Sequence, residues 1–144
     1  MTTSKFRLLH HLPHLLRRAH FEADAAFAPI YGDALTSRQL ALLVAVDQRP
    51  GASQSQVAQD IGLDLNTCSD LVVRTAAKGL LKRERSAVDA RSFCLFLSED
   101  GRRALQDSTA KAIDYRNAVA SRLSAAERDQ LIRLLRKMLG FDRS

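Results

Sequence analysis

Tryptophan is absent, cysteine occurs 2 times, proline 3 times and glycine 6 times in 144 residues. Each shortage excludes something. Cys68 and Cys94 make neither a CxxC pair nor a disulfide framework, so reduced thiols are expected. The sparse proline and glycine leave no collagen-like, repeat or low-complexity text. The longest unbroken apolar run, Leu40–Val46, is 7 residues, far below the roughly 20 that span a bilayer. No membrane partner is expected. Met1 to Arg7 leads into Leu/His/Arg text without the apolar stretch of a secretory signal, so a cytoplasmic location is expected. Charge of one sign is also scarce: Lys+Arg 22 against Asp+Glu 16 gives +6, and no segment is a basic tail. A polyanion site must therefore come from local clustering. There is no Gly-rich phosphate loop, no HExxH and no nucleophile elbow, so neither an enzyme nor a cofactor is expected.

What is present is a globular composition, 46% hydrophobic and 26% charged, of one-domain length. The text is mainly helical. It runs helical from about Ser4 to Tyr31, with Pro13 either opening the main helix or kinking it. Thr36-Ser37-Arg38-Gln39 is a capping-box pattern and opens a helix to about Gln48, with Leu40, Leu43 and Val44 inward. Ser53-Gln54-Ser55-Gln56 is a second such box and starts a short helix with Val57 and Ala58 inward. Gly62 makes a tight turn, Asp64 caps a third helix over Leu65 to about Lys78, and Gly79 ends it. Leu80–Arg85 and Ser92–Leu97 then alternate around a polar tip and read as a β-hairpin. Ser98 caps a long helix, about Glu99 to Leu123. Ser124-Ala125-Ala126-Glu127 opens the last helix, with Leu131, Leu134, Leu135, Met138 and Leu139 on its apolar face.

Helix, short helix, turn, helix, hairpin is a helix-turn-helix followed by a wing. The expected organisation is an N-terminal dimerisation region (1–35), a winged helix-turn-helix lobe (36–97) and C-terminal dimerisation helices (98–144). Both chain ends carry wide apolar faces that a small central core does not obviously cover. A two-fold dimer through those helices would bury them, and folding back within one chain is the alternative. In such a motif the second helix presents its N-terminal end to the major groove. Its outward residues are Asn66, Thr67, Ser69, Asp70, Val73 and Arg74, and its inward ones Cys68, Leu71, Val72 and Thr75. Arg74, Lys78, Lys82, Arg83 and Arg85, against the single acid Glu84, form the local basic cluster that the modest net charge does not reveal. At the hairpin tip, Arg91 can enter a minor groove, while Asp89 can pair with a neighbouring arginine and fix the loop.

These residues resemble the MarR family of winged helix-turn-helix regulators. Leu35-Thr36-Ser37-Arg38-Gln39 is similar to the family's Leu-Thr-x-x-Gln entry to its second helix. Gln54-Ser55-Gln56-Val57-Ala58 is similar to its Gln-x-x-Leu-Ala short helix, and Lys78-Gly79-Leu80-Leu81 to its Lys-Gly-Leu-Val helix end. Asp89-Ala90-Arg91, followed by Leu97-Ser98-Glu99-Asp100-Gly101-Arg102, resembles its Asp-x-Arg wing and Leu-Thr-x-x-Gly-Arg. The resemblance implies a homodimer on the double-stranded DNA of a pseudo-palindromic operator, commonly as a repressor. The expected DNA contacts also include Ser37, Arg38, Gln54 and Ser55 from these motifs, and Lys78 and Arg85 from the basic cluster. The resemblance also implies release by a small effector, often an aromatic acid, sometimes a CoA thioester. Asp70 and Val73 depart from the pattern. An acid at Asp70 would weaken a phosphate contact unless it accepts from a cytosine amine or pairs with Arg74, and Val73 can touch a thymine methyl.

The four histidines fall early, at His10, His11, His14 and His20. His10 and His14 share a helical face, but a zinc site normally needs three or four ligands and no cysteine lies nearby. No metal is expected, and a small histidine metalloprotein is the minor alternative. His14, Arg17, Arg18 and His20 are candidate partners for an anionic effector, against the plainer reading of a polar face at the dimer interface. Cys68 reads as a small buried hydrophobe. The other alternative is a winged-helix protein-interaction module without specific DNA binding, since fold alone does not decide function.

Overall fold

The structure is a computed structural model that describes residues 5–142. Lys5–Arg7 is irregular and Leu8–His10 is a single 3-10 turn. Helix α1 begins only at Leu12 and runs to Tyr31. Helical text was expected from about Ser4, which lies outside the described residues. The late start has a local cause: Pro13 lacks an N–H and fits only the first turn, so it opens the helix instead of kinking it. Then follow α2 (Ser37–Gln48), α3 (Gln54–Ile61), α4 (Leu65–Ala77), β1 (Leu81–Arg85), β2 (Phe93–Leu97), α5 (Glu99–Val119) and α6 (Ala125–Met138). Helix α5 ends at Val119 rather than Leu123, because Ala120–Leu123 folds into a turn that delivers Ser124 as the next N-cap.

The helix starts are built locally. Thr36, Ser53 and Ser124 each accept the N3 backbone N–H, and Gln39, Gln56 and Glu127 reach back to the cap residue's own N–H. Two otherwise orphaned donors are satisfied at each start. Between α3 and α4 the chain reverses at Gly62, whose φ of 72° is left-handed and suits a residue without Cβ.

Two compact units emerge. One spans Phe27–Ala112, and the other combines the chain to Ala26 with the chain from Ile113. The first contains the whole winged helix-turn-helix. Its core is formed by Leu42, Leu43 and Val46 of α2, Val57 of α3, Cys68 and Val72 of α4, and Leu95 of β2, all 0 or 1% exposed. Burying each large aliphatic side chain stabilises by about 1.5–3 kcal/mol. The core face of α2 differs from expectation: Leu42, Leu43, Ala45 and Val46 are buried, while Leu40 and Val44 are only half-buried. Gln39 takes the place on that face where an apolar residue would be expected, because its amide serves the capping box.

The hairpin pairs Leu81 with Leu97 and Arg85 with Phe93. It gains a third partner in the chain before α3, where Gly51 N–H donates to Leu95 O and Leu95 N–H to Ala52 O. Ser98 Oγ accepts the Gly101 N–H and donates to Gly79 O, so α5 begins locked to the end of α4. A Cβ on Gly101 would lie 2.1 Å from Leu80 O. Only glycine permits that approach.

The second unit is held differently. Tyr115 Oη donates to Ala23 O at 2.7 Å, but Leu131, Ile132, Leu134 and Met138 of α6 and Leu139 just after it are exposed, as are Leu12, Leu15 and Phe21 of α1. Among the described residues no helix is long and apolar enough to cross a membrane.

Candidate nucleic-acid interface

Helix α4 starts on an unusually tight cap. The Asp64 carboxylate accepts the Thr67 N–H and the Thr67 hydroxyl, both at 2.8 Å. Those bonds, the backbone one first, hold its carboxyl below the ordinary aspartate range. Thr67 is therefore partly committed to the cap and is half-buried, as is Ser69. Asn66, Asp70, Val73 and Arg74 are exposed, with Val73 47% accessible although apolar. Cys68, Leu71, Val72 and Thr75 face the core. Asp70 lies 3.6 Å from Arg74, one helical turn on. Both side chains are 74% exposed, so the pair contributes little stability and restrains Arg74 only loosely.

Two further helix starts present polar groups. Arg38 is exposed and Ser37 half-buried in the first turn of α2, and Ser55 is exposed and Gln54 half-buried in the first turn of α3. Helix N-termini favour anions through their free N–H groups and dipole.

The wing is stiffened by its own polar groups. Ser86 Oγ accepts the N–H groups of Val88 and Asp89. Asp89 was expected to pair with an arginine side chain; instead its carboxylate accepts the main-chain N–H of Arg91 at 3.0 Å and the Ser92 hydroxyl at 3.3 Å. The physical reason is proximity: an Asx turn needs only residues two and three ahead. Arg85 donates to Ala90 O at 2.6 Å and lies 5.3 Å from the Phe93 ring centre, with Arg83 at 5.2 Å on the same ring. Arg91 is left exposed at the tip. The role of Phe93 was not anticipated, and its pairing opposite Arg85 is the signal that would have found it.

Lys78, expected as a DNA contact, is exposed but also has partners within the chain. It donates to Ala34 O and to Gln39 Oε1, both at 2.9 Å, and so joins the end of α4 to the start of α2.

Of the expected effector residues, His14, Arg17 and Arg18 lie close together, and His20 has a separate partner. His14 is buried, and its Nδ1 accepts from Arg17 at 2.8 Å while its Nε2 has no partner among the described residues. Burial, then the nearby Arg17 and Arg18 guanidinium groups, lower its pKa and favour the neutral ring. His20 pairs instead with Asp24 at 3.3 Å. Arg18 lines a cavity of about 330 Å³ with Leu15, Glu22 and Arg122. A second cavity, about 410 Å³, opens in the Phe27–Ala112 unit. Leu35, Leu80 and Ala104 give it apolar walls, Lys78 and Lys111 cationic ones, and Tyr31, Asp107 and Ser108 complete it. Burial pushes the Tyr31 phenol up, so its O–H stays protonated at neutral pH. Burial likewise pushes the Cys68 thiol up, which disfavours a reactive thiolate. Among the described residues no three His, Cys, Asp or Glu side chains gather into a metal site.

Comparison with known proteins places this geometry. Residues 35–92 match the family model described as MarR family. The transcriptional repressor NicR of Pseudomonas putida is 30% identical over 130 residues, 90% of this chain and 82% of that protein. The PcaV transcriptional regulator of Streptomyces coelicolor, solved with its natural ligand, superposes with a TM-score of 0.87 at 27% identity, covering 95% of this chain and 97% of that one. BpsR of Bordetella bronchiseptica, whose DNA binding is regulated by 6-hydroxynicotinic acid, gives a TM-score of 0.82 at 30% identity, covering 88% and 97%.

Proposed function

The chain belongs to the MarR family of transcriptional regulators, and on that premise we propose that it is a homodimeric repressor released from its operator by a small aromatic acid. The observation that carries this reading is the wing: a loop fixed by Ser86, Asp89 and Arg85 holds Arg91 at its exposed tip beside a capped recognition helix. In this reading Asn66, Thr67, Ser69, Asp70, Val73 and Arg74 meet the major groove. Ser37, Arg38, Gln54 and Ser55 contact the backbone through helix starts, and Arg85, Asp89 and Arg91 form the minor-groove element. The chain ends supply the dimer contacts and hold two reading heads at half-site spacing, about 34–36 Å. The protein works in the cytoplasm and performs no catalysis.

The effector class rests on the relatives, a ligand complex for PcaV and 6-hydroxynicotinic acid for BpsR. The cavity beside Lys78 and Lys111 matches it chemically: apolar walls for a ring, ammonium groups for a carboxylate, and Asp107 to accept from a ring hydroxyl. Its size favours a free acid over a CoA thioester.

The test is binding to a duplex from the protein's own promoter region, against random DNA, at about 0.15 M salt. Specific binding that falls steeply with salt is expected, and Arg91→Ala should weaken it by roughly tenfold, or about 1.4 kcal/mol. Equal affinity for both duplexes would turn the reading to a protein-interaction module on the same fold.

A further inference from the structure

We propose that Lys78 is a releasable lock: it ties the end of the recognition helix to the start of α2, and a carboxylate in the adjoining cavity competes for its ammonium, so that occupancy is felt by α4 directly. The competition step rests on the effector reading above; the lock itself does not.

Three observations place this residue at a junction. Lys78 is the C-cap of α4, the helix that carries Asn66 to Arg74. Its Nζ bonds Ala34 O and Gln39 Oε1, both at the entry to α2. It also lines the cavity of about 410 Å³. One side chain thus belongs to the reading helix, to the neighbouring helix start and to the wall of a ligand-sized space.

The chemistry makes the lock releasable. Both of its present acceptors are neutral amide oxygens, so a carboxylate adds a charge–charge attraction that they cannot supply to the ammonium. Departure also leaves no buried acceptor stranded. Gln39 is 4% exposed, yet its Oε1 keeps the Thr36 N–H at 3.1 Å through the capping box, and Ala34 is exposed to water. Breaking a bond to a buried acceptor is costly chiefly when that acceptor then has no partner. Here it has one. The ligand that fits is a ring acid whose carboxylate meets Lys78 and Lys111 against the Leu35, Leu80 and Ala104 walls. Its differential affinity for the unlocked state is what shifts the reading helix.

The test compares the full-length protein with Lys78→Met, which keeps side-chain length and removes the charge. Hydrogen exchange without DNA or ligand should quicken by roughly tenfold at the amides of residues 36–40 and 74–80, and nowhere else in the lobe. Affinity for the promoter duplex should fall by about threefold to tenfold with the salt slope unchanged. A direct phosphate contact would instead lower that slope by about one and leave exchange untouched, and that result overturns the lock. The competition step is read on wild-type protein with 6-hydroxynicotinate and 4-hydroxybenzoate. An acid that raises Tm should quicken exchange at the same two helix ends and bind Lys78→Met at least about fivefold more weakly. An equal Tm rise in both proteins overturns the competition. Failure of both acids to shift wild-type Tm defeats the effector reading and the competition with it, while the exchange of Lys78→Met still decides the lock.

Discussion

Leu42 and Leu134 are the same residue type on two amphipathic helices. Leu42 is 0% exposed and Leu134 45%. The contrast holds for the regions they belong to. Between Phe27 and Ala112, three helices and a hairpin enclose a continuous apolar core. In the unit formed by the chain ends, the one buried side chain among the described residues is a histidine, and Leu131 and Leu134 of α6 are exposed. One region completes its own core; the other presents an apolar surface that stable monomers rarely leave open. The winged lobe is therefore self-sufficient while the chain ends are not, and in the proposed dimer a second copy would cover them.

The most severe break of this comparison is a charge on the outward face. Leu131→Glu with Leu134→Glu should abolish the dimer, measured by sedimentation, while the lobe retains its cooperative unfolding. Loss of lobe structure in that double variant would mean the two regions are not separable. Gly101→Ala should act the opposite way. Its methyl would press on Leu80 O, so thermal unfolding should show a loss of about 2 kcal/mol in the lobe with dimerisation retained.

The smallest effect sharpens the second region. His14 titrates below its ordinary value of 6.5 in the folded chain. The unfolded chain then takes up the proton first as pH falls. Its contribution is present above about pH 6.5 and is lost as pH drops through the lowered folded value. Tm should therefore decline between about pH 7.5 and 5.5, and less so in His14→Gln. An identical decline in both proteins would remove His14 from the account.

The legible parts of the fold were those fixed within a few residues. Capping boxes at Thr36, Ser53 and Ser124 span three positions, and Gly62 needs only its own φ, so helix starts and the helix-turn-helix turn were readable. Lys78 was not. Its partners lie 39 and 44 residues upstream, and in sequence it is one more cation in a basic cluster. Phe93 was missed for the same reason, since its ring meets Arg83 and Arg85 only across the hairpin. The phase of α2 slipped because Gln39, polar by type, is buried by its capping duty. At the wing the opposite occurred. Asp89 was read as a partner for a guanidinium, but the backbone N–H two residues on is nearer and needs no side-chain ordering.

The central claim is that two self-contained reading heads are joined through surfaces that neither chain covers alone. Sedimentation equilibrium of the protein with its promoter duplex tests it most directly. The account predicts two chains per duplex, with the same two-chain species present before DNA is added. A single chain bound per duplex, from a monomer free in solution, would contradict it.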